Sequence, residues 1–147
     1  MMKITVKWIL VVVLCLSFVI PVAAIPSDPL SSRLRDFADL LSVTEEELLF
    51  DQLNDVSEKW EMDVVIVTTS NTLLSSVEQF SDDFYDQGNY SPDGILLLVS
   101  MEERDVIITP YQRAQKVFSN PTCEYILQKI TDDLSNGNYF EAFDTYV

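Results

Sequence analysis

Histidine is absent from the 147-residue chain, and cysteine occurs only at Cys15 and Cys123. The first absence excludes Ser-His and Cys-His nucleophiles and any histidine-ligated zinc. Catalysis would fall to carboxylates, hydroxyls, Arg, Lys, Tyr or Cys123. Basic residues are also scarce, nine against 24 Asp and Glu, and there is no internal repeat or low-complexity stretch. So negative a chain repels nucleic acid and anionic membranes, and attracts divalent cations and basic partners.

The opening stretch MMKITVKWILVVVLCLSFVIPVAA departs from that composition. Lys3 and Lys7 precede a mostly apolar run from Trp8 to Ile20, and Val22 and Ala24 form the small pair ahead of a cut. Residues 1–24 are therefore expected to be a signal peptide. A retained membrane anchor is the alternative, because the apolar run can be extended to Ile25. Either way the lysines stay inside and the remainder is exported, to the cell envelope or the exterior. Loss of the two lysines leaves a mature charge of 7 − 24, or −17. With Cys123 as the one remaining cysteine, no intrachain disulfide can form, so a core must hold the exported domain, as suits a bacterial envelope protein. A lone thiol with no histidine to activate it reads as buried and inert.

Residues 25–32, IPSDPLSS, carry two prolines and read as a linker. Residues 33–147 form one domain. TEEELLFDQLNDVSEKW predicts a helix capped by Thr44 and Glu47, with Leu49, Leu53, Val56 and Trp60 on its buried stripe. MDVVIVTTS predicts a strand covered on both faces. A second helix is expected over about 74–85, burying Leu73, Val77, Phe80 and Phe84. ILLLVS and RDVIITP then form a hairpin. The C-terminal segment predicts a helix from about Thr122 to Leu134, a break at Asn136-Gly137-Asn138 and a short last helix. The fold class is α/β, a three-layer α/β/α sandwich whose small mixed sheet contains a right-handed βαβ unit and a β-hairpin.

SDDFYDQGNYSPDG, residues 81–94, concentrates carboxylates ahead of the second buried strand. On the wheel of the second helix, Asp82 and Asp86 point away from the core and Asp83 lies nearer the boundary. Asp83 and Asp86 sit at a helix C-terminus, where the dipole is negative, and Asp93 follows a short loop later. A hard cation, calcium or alternatively magnesium, would relieve that repulsion. Solvated helix surface is the plain alternative. Asp36 is a further candidate, although strand direction puts the start of the first helix at the other edge of the sheet. Arg104, Arg113 and Lys116 read as surface residues.

RLRDFADLLSVTEEE, DVVIVTT, DDFYD, DGILLLVSMEERDVIIT and GNYFEAF, in that order, resemble the TPM domain. That family is named after a thylakoid-lumen phosphatase, a photosystem-associated protein and a nematode receptor modulator. The resemblance runs from about Arg33 to the end, toward exported Gram-positive bacterial members. It implies the α/β sandwich, an extracytoplasmic location, and calcium binding with acid phosphatase activity in some members, against assembly or receptor-associated roles in others. Residue by residue it gives Asp36, Asp83, Asp86 and Asp93 as metal ligands; no catalytic residue is assigned. Two departures stand out. The loop over 87–92 is short, with no glycine in TPYQRAQKVF, and the chain stops at Val147 where relatives commonly continue.

Two functions are thus expected. One is a divalent-cation-binding TPM-type domain of the envelope with metal-assisted phosphatase activity. The other is a non-catalytic interaction or assembly module whose acidic surface recruits a basic envelope or membrane protein. Contact with the membrane itself would come only through an uncleaved signal segment. A truncated product without function is a third reading.

Overall fold

The computed structural model describes residues 32–147; the expected signal peptide, and the linker up to its last residue, lie outside the described residues. Four strands form one sheet in the order β1 (Leu34–Asp36), β2 (Asp63–Thr69), β3 (Gly94–Ser100) and β4 (Asp105–Tyr111). β1, β2 and β3 are mutually parallel, with Asp36 opposite Thr68 and Asp63 opposite Gly94. β3 and β4 make the expected antiparallel hairpin, from Ser100 against Asp105 to Gly94 against Tyr111. β2 and β3 are buried along their whole length, which is why each reads as an unbroken apolar run rather than an alternation.

The alternation lies in which layer each side chain meets. Val64, Ile66, Ile95, Leu97 and Val99 face α1 (Val43–Trp60), α4 (Asn120–Asn136) and α5 (Tyr139–Tyr146). Val65, Val67, Leu96 and Leu98 face α2 (Val77–Gln87). The sandwich is therefore three-layered. α1 and α2 connect successive neighbours in the same lateral direction, yet they cover opposite faces of the sheet. Their two crossovers must therefore differ in hand, so one of the two βαβ units departs from the right-handed rule.

Three local expectations are corrected. The first helix begins with a capping box at Ser42 and Glu45, two residues ahead of the expected pair at the same spacing. The Glu45 carboxylate accepts the Ser42 N–H at 2.7 Å, and the Ser42 side chain lowers the Glu45 pKa. Trp60 leaves the buried stripe, 58% exposed; Ser57 is buried instead, its hydroxyl accepting from the Val64 N–H at 2.9 Å. The second helix starts at Val77, behind the N-cap Ser76. Leu73 and Leu74 therefore lie in the loop, 80% and fully exposed, with φ of 52° and 75°. Each costs roughly 1–2 kcal/mol in that left-handed conformation.

β1 and the short helix α3 (Ala114–Val117) went unforeseen. α4 starts at Asn120, with Pro121 in its first turn. The break at Asn136-Gly137-Asn138 is a left-handed cap, in which Gly137 takes φ 80° and the Asn138 N–H reaches the Asp133 carbonyl at 2.9 Å.

Candidate functional site

The parallel strands begin at one edge of the sheet and end at the other, and the expected ligands divide between the two. Asp93 lies just before β3, at the edge where the parallel strands begin, and Asp86 lies at the C-terminal end of α2. Asp36 ends β1 at the opposite edge, beside Thr68. From Asp63, at the level of β3's start, to Thr68 is five residues of strand, roughly 16 Å. Asp36 therefore lies too far from Asp93 to share one coordination sphere with it. Asp82, Asp83 and Asp86 are all exposed on α2. Among the described residues, no group of three or more Asp, Glu, Cys or His is arranged to hold an ion.

At the beginning edge, Asp93 and Asp63 are occupied by the protein's own donors, whereas Asp86 is exposed. Asp93 accepts the Arg113 backbone N–H at 2.9 Å and pairs with its guanidinium at 3.4 Å. Arg113 also donates to the Glu61 carbonyl at 2.7 Å, tying the end of α1 to the loop. Asp63 pairs with Arg33 at 2.7 Å and accepts from the Ser91 N–H, while Arg33 reaches the Asn54 side chain. The repulsion that suggested a cation is thus relieved at Asp93 by an arginine 20 residues away. Above the loop, Tyr85 stacks on Tyr111 with ring centroids 3.8 Å apart, and its hydroxyl donates to the Ser91 carbonyl at 2.7 Å. Burial, with Asp63 nearby, raises the Tyr85 pKa, and burial pushes Tyr111 up to about 12. Neither phenol is a proton carrier near neutral pH.

At the ending edge, β1 sends its connection over one face and β2 over the other. The strand order β1-β2-β3-β4 does not reverse there, so this edge is not the switch point of a doubly wound sheet. Asp36 accepts from the Thr68 hydroxyl and from the Leu41 N–H at 2.8 Å, so it braces the connection from β1 to α1 against β2. Glu103, in the β3–β4 turn, accepts from the Ser100 hydroxyl and from the Thr72 N–H at 3.2 Å. The Ser100 hydrogen bond is the main reason its pKa is lowered. Among the described residues, four of the six non-glycine residues with positive φ occupy the three loops of this edge: Asp39, Leu73, Leu74 and Arg104. Such strain concentrates where loops are held for a purpose. Thr68, Thr72, Glu103 and the two leucines were not foreseen as site residues. The direction of β2, already inferred, was the signal that pointed to this edge.

Cys123 is buried, and burial raises its pKa, as expected of an inert thiol. No helix among the described residues is long and apolar enough to cross a membrane.

Fold and motifs together define an α/β/α sandwich domain with a small, mostly parallel sheet. The chain belongs to the TPM domain family, whose model matches residues 34–147. It is 32% identical over 126 residues to UPF0603 protein YdjH of Bacillus subtilis (strain 168), a match covering 86% of this chain and 49% of that protein. The chain thus spans about half the length of that relative. The fold is shared with the solution NMR structure of the N-terminal domain of a protein from P. gingivalis, at TM-score 0.68 and 21% identity, covering 78% of this chain and 76% of that one.

Proposed function

We propose that this TPM domain is a non-catalytic interaction module of the cell envelope, exported by its N-terminal segment, which presents an acidic surface to a basic protein partner. One observation carries the reading. Glu47, Asp51, Asp55 and Glu58 are all exposed and recur at spacings of four, four and three along α1, so they form a single negative stripe about 16 Å long. Like charges at such spacings weaken a helix by roughly 0.2–0.5 kcal/mol per pair. Lys59, four residues after Asp55, is the one basic side chain of α1, and its ammonium lies 5.2 Å from the Trp60 ring centroid rather than in an ion pair with the stripe. Internally neutralised carboxylates at one edge and unneutralised ones along a helix favour recruitment over metal chemistry.

The test is calorimetric titration with a lysine-rich peptide at 50 and 300 mM salt. Binding should weaken steeply with salt, and at least tenfold when Glu47→Gln, Asp51→Asn, Asp55→Asn and Glu58→Gln are combined. Calcium- or magnesium-dependent turnover of a phosphomonoester, abolished by Asp83→Asn, would overturn the proposal in favour of an enzyme.

A divalent-cation site is the second reading. It is favoured by Asp83 and Asp86, one turn apart and exposed at the end of a helix with no basic residue in its last turn. For it to form, Asp93 would have to exchange Arg113 for the ion.

A further inference from the structure

We propose that the edge of the sheet where the parallel strands end is a docking surface for a basic, amphipathic segment of another protein, with Leu73 and Leu74 as its apolar anchors. This rests on the interaction-module reading and names the end of the domain that makes contact.

Nothing inside the domain uses these two side chains, since Leu73 is 80% exposed and Leu74 fully so. Their backbones are nevertheless held at φ 52° and 75°, a conformation leucine disfavours. A slack loop would relax out of it, and this loop is tied on both sides. The Thr72 hydroxyl lies 2.7 Å from the Ser75 carbonyl and 3.0 Å from Glu103 Oε1, and the Ser75 N–H returns to the Thr72 carbonyl at 3.2 Å. The Leu73 N–H donates to the Asn71 side chain at 3.2 Å. Two large apolar side chains are therefore displayed on a fixed turn, which lowers the ordering cost of binding. Phe37, 57% exposed, and Met101 add apolar surface in the neighbouring loops of the same edge.

Charge selects the occupant. Asp39, Glu78, Glu102 and Glu103 are exposed in or beside these loops, against Arg104 alone. An anionic lipid surface would be repelled, and so would a second copy carrying the same residues. A segment with Lys or Arg flanking an apolar stripe complements both the leucines and their acidic rim, the usual arrangement of apolar centre and polar border.

Two synthetic peptides of equal positive charge test this, one a leucine/lysine amphipathic repeat and one in which serine replaces every leucine. Against the purified protein, the leucine peptide should bind at least tenfold tighter, and the amide shifts that it causes and the serine peptide does not should be confined to residues 37–39, 70–78 and 101–104. In the double variant Leu73→Asn/Leu74→Asn that advantage should vanish. The fold should survive with an undiminished denaturation midpoint, since asparagine tolerates the left-handed conformation. Equal binding of both peptides overturns the docking surface while leaving an acidic interaction module standing. No binding of either peptide at low salt overturns both. Leucine-dependent binding to lipid vesicles, or leucine-dependent self-association, overturns the assignment of a basic protein segment as the occupant.

Discussion

Gly94→Ala is expected to cost at least about 3 kcal/mol, the upper end of what an overpacked core methyl produces. A Cβ at this position would lie 1.9 Å from the Tyr85 hydroxyl and 2.6 Å from the Asp63 carbonyl. Neither neighbour can withdraw. The Asp63 carbonyl belongs to the backbone of the adjacent strand, in register with Gly94 itself. Tyr85 is clamped between Tyr90 and Tyr111, with centroids at 5.1 and 3.8 Å, and its hydroxyl is committed to Ser91. The glycine is needed here for close approach rather than for backbone freedom. Gly137 is the contrast: its φ is 80° and nothing lies within 4 Å of where a Cβ would sit, so alanine there meets only the conformational penalty, about 1 kcal/mol. Urea denaturation of the two variants should separate them clearly; a loss below about 1 kcal/mol at Gly94 would show that the tyrosine stack is looser than its geometry implies.

Phe143→Ala is expected to cost about 3–5 kcal/mol, since it deletes the largest fully buried side chain among the described residues and leaves a cavity under α5. Against a typical domain stability of roughly 5–15 kcal/mol, that is a large share. Phe143 sits in the GNYFEAF segment. Ala142 beside it is also fully buried, and Tyr139, Phe140 and Tyr146 pack on the same cluster. The last helix is thus part of the core, and the Tyr146 hydroxyl reaches the Ile95 carbonyl of β3 at 3.2 Å. A single cooperative transition with a lowered midpoint is the expected result. A stability within about 0.5 kcal/mol of the parent, the range of an ordinary surface substitution, would mean that α5 is an appendage to the core.

The two central strands were legible because burial on both faces leaves a composition no surface element has. β1 was not, for it is three residues long and includes Arg35 and Asp36, so it carries no apolar run and is defined only by pairing with Ile66, Val67 and Thr68. The start of α2 was misplaced because Leu73 and Leu74 continue the apolar period, although their backbones are left-handed and Ser76 supplies the cap. The capping box of α1 was displaced because Thr44/Glu47 and Ser42/Glu45 share one spacing. At the site, the exposure of Asp82 and Asp86 followed from helical geometry. Asp93 bonding to Arg113 did not, since two loops 20 residues apart meet only once the hairpin closes. The separation of Asp36 from the acidic loop was readable from strand direction alone.

Whether the acidic loop is neutralised from within is best tested by calcium titration of the purified protein, followed through backbone amide NMR. With Arg113 holding Asp93, the amides of residues 83–94 should shift weakly and without saturation up to millimolar calcium, and the Arg113 signals should stay in place. Saturable shifts at Asp83, Asp86 and Asp93, with loss of the Arg113 contact, would contradict the interaction-module reading and establish a cation site.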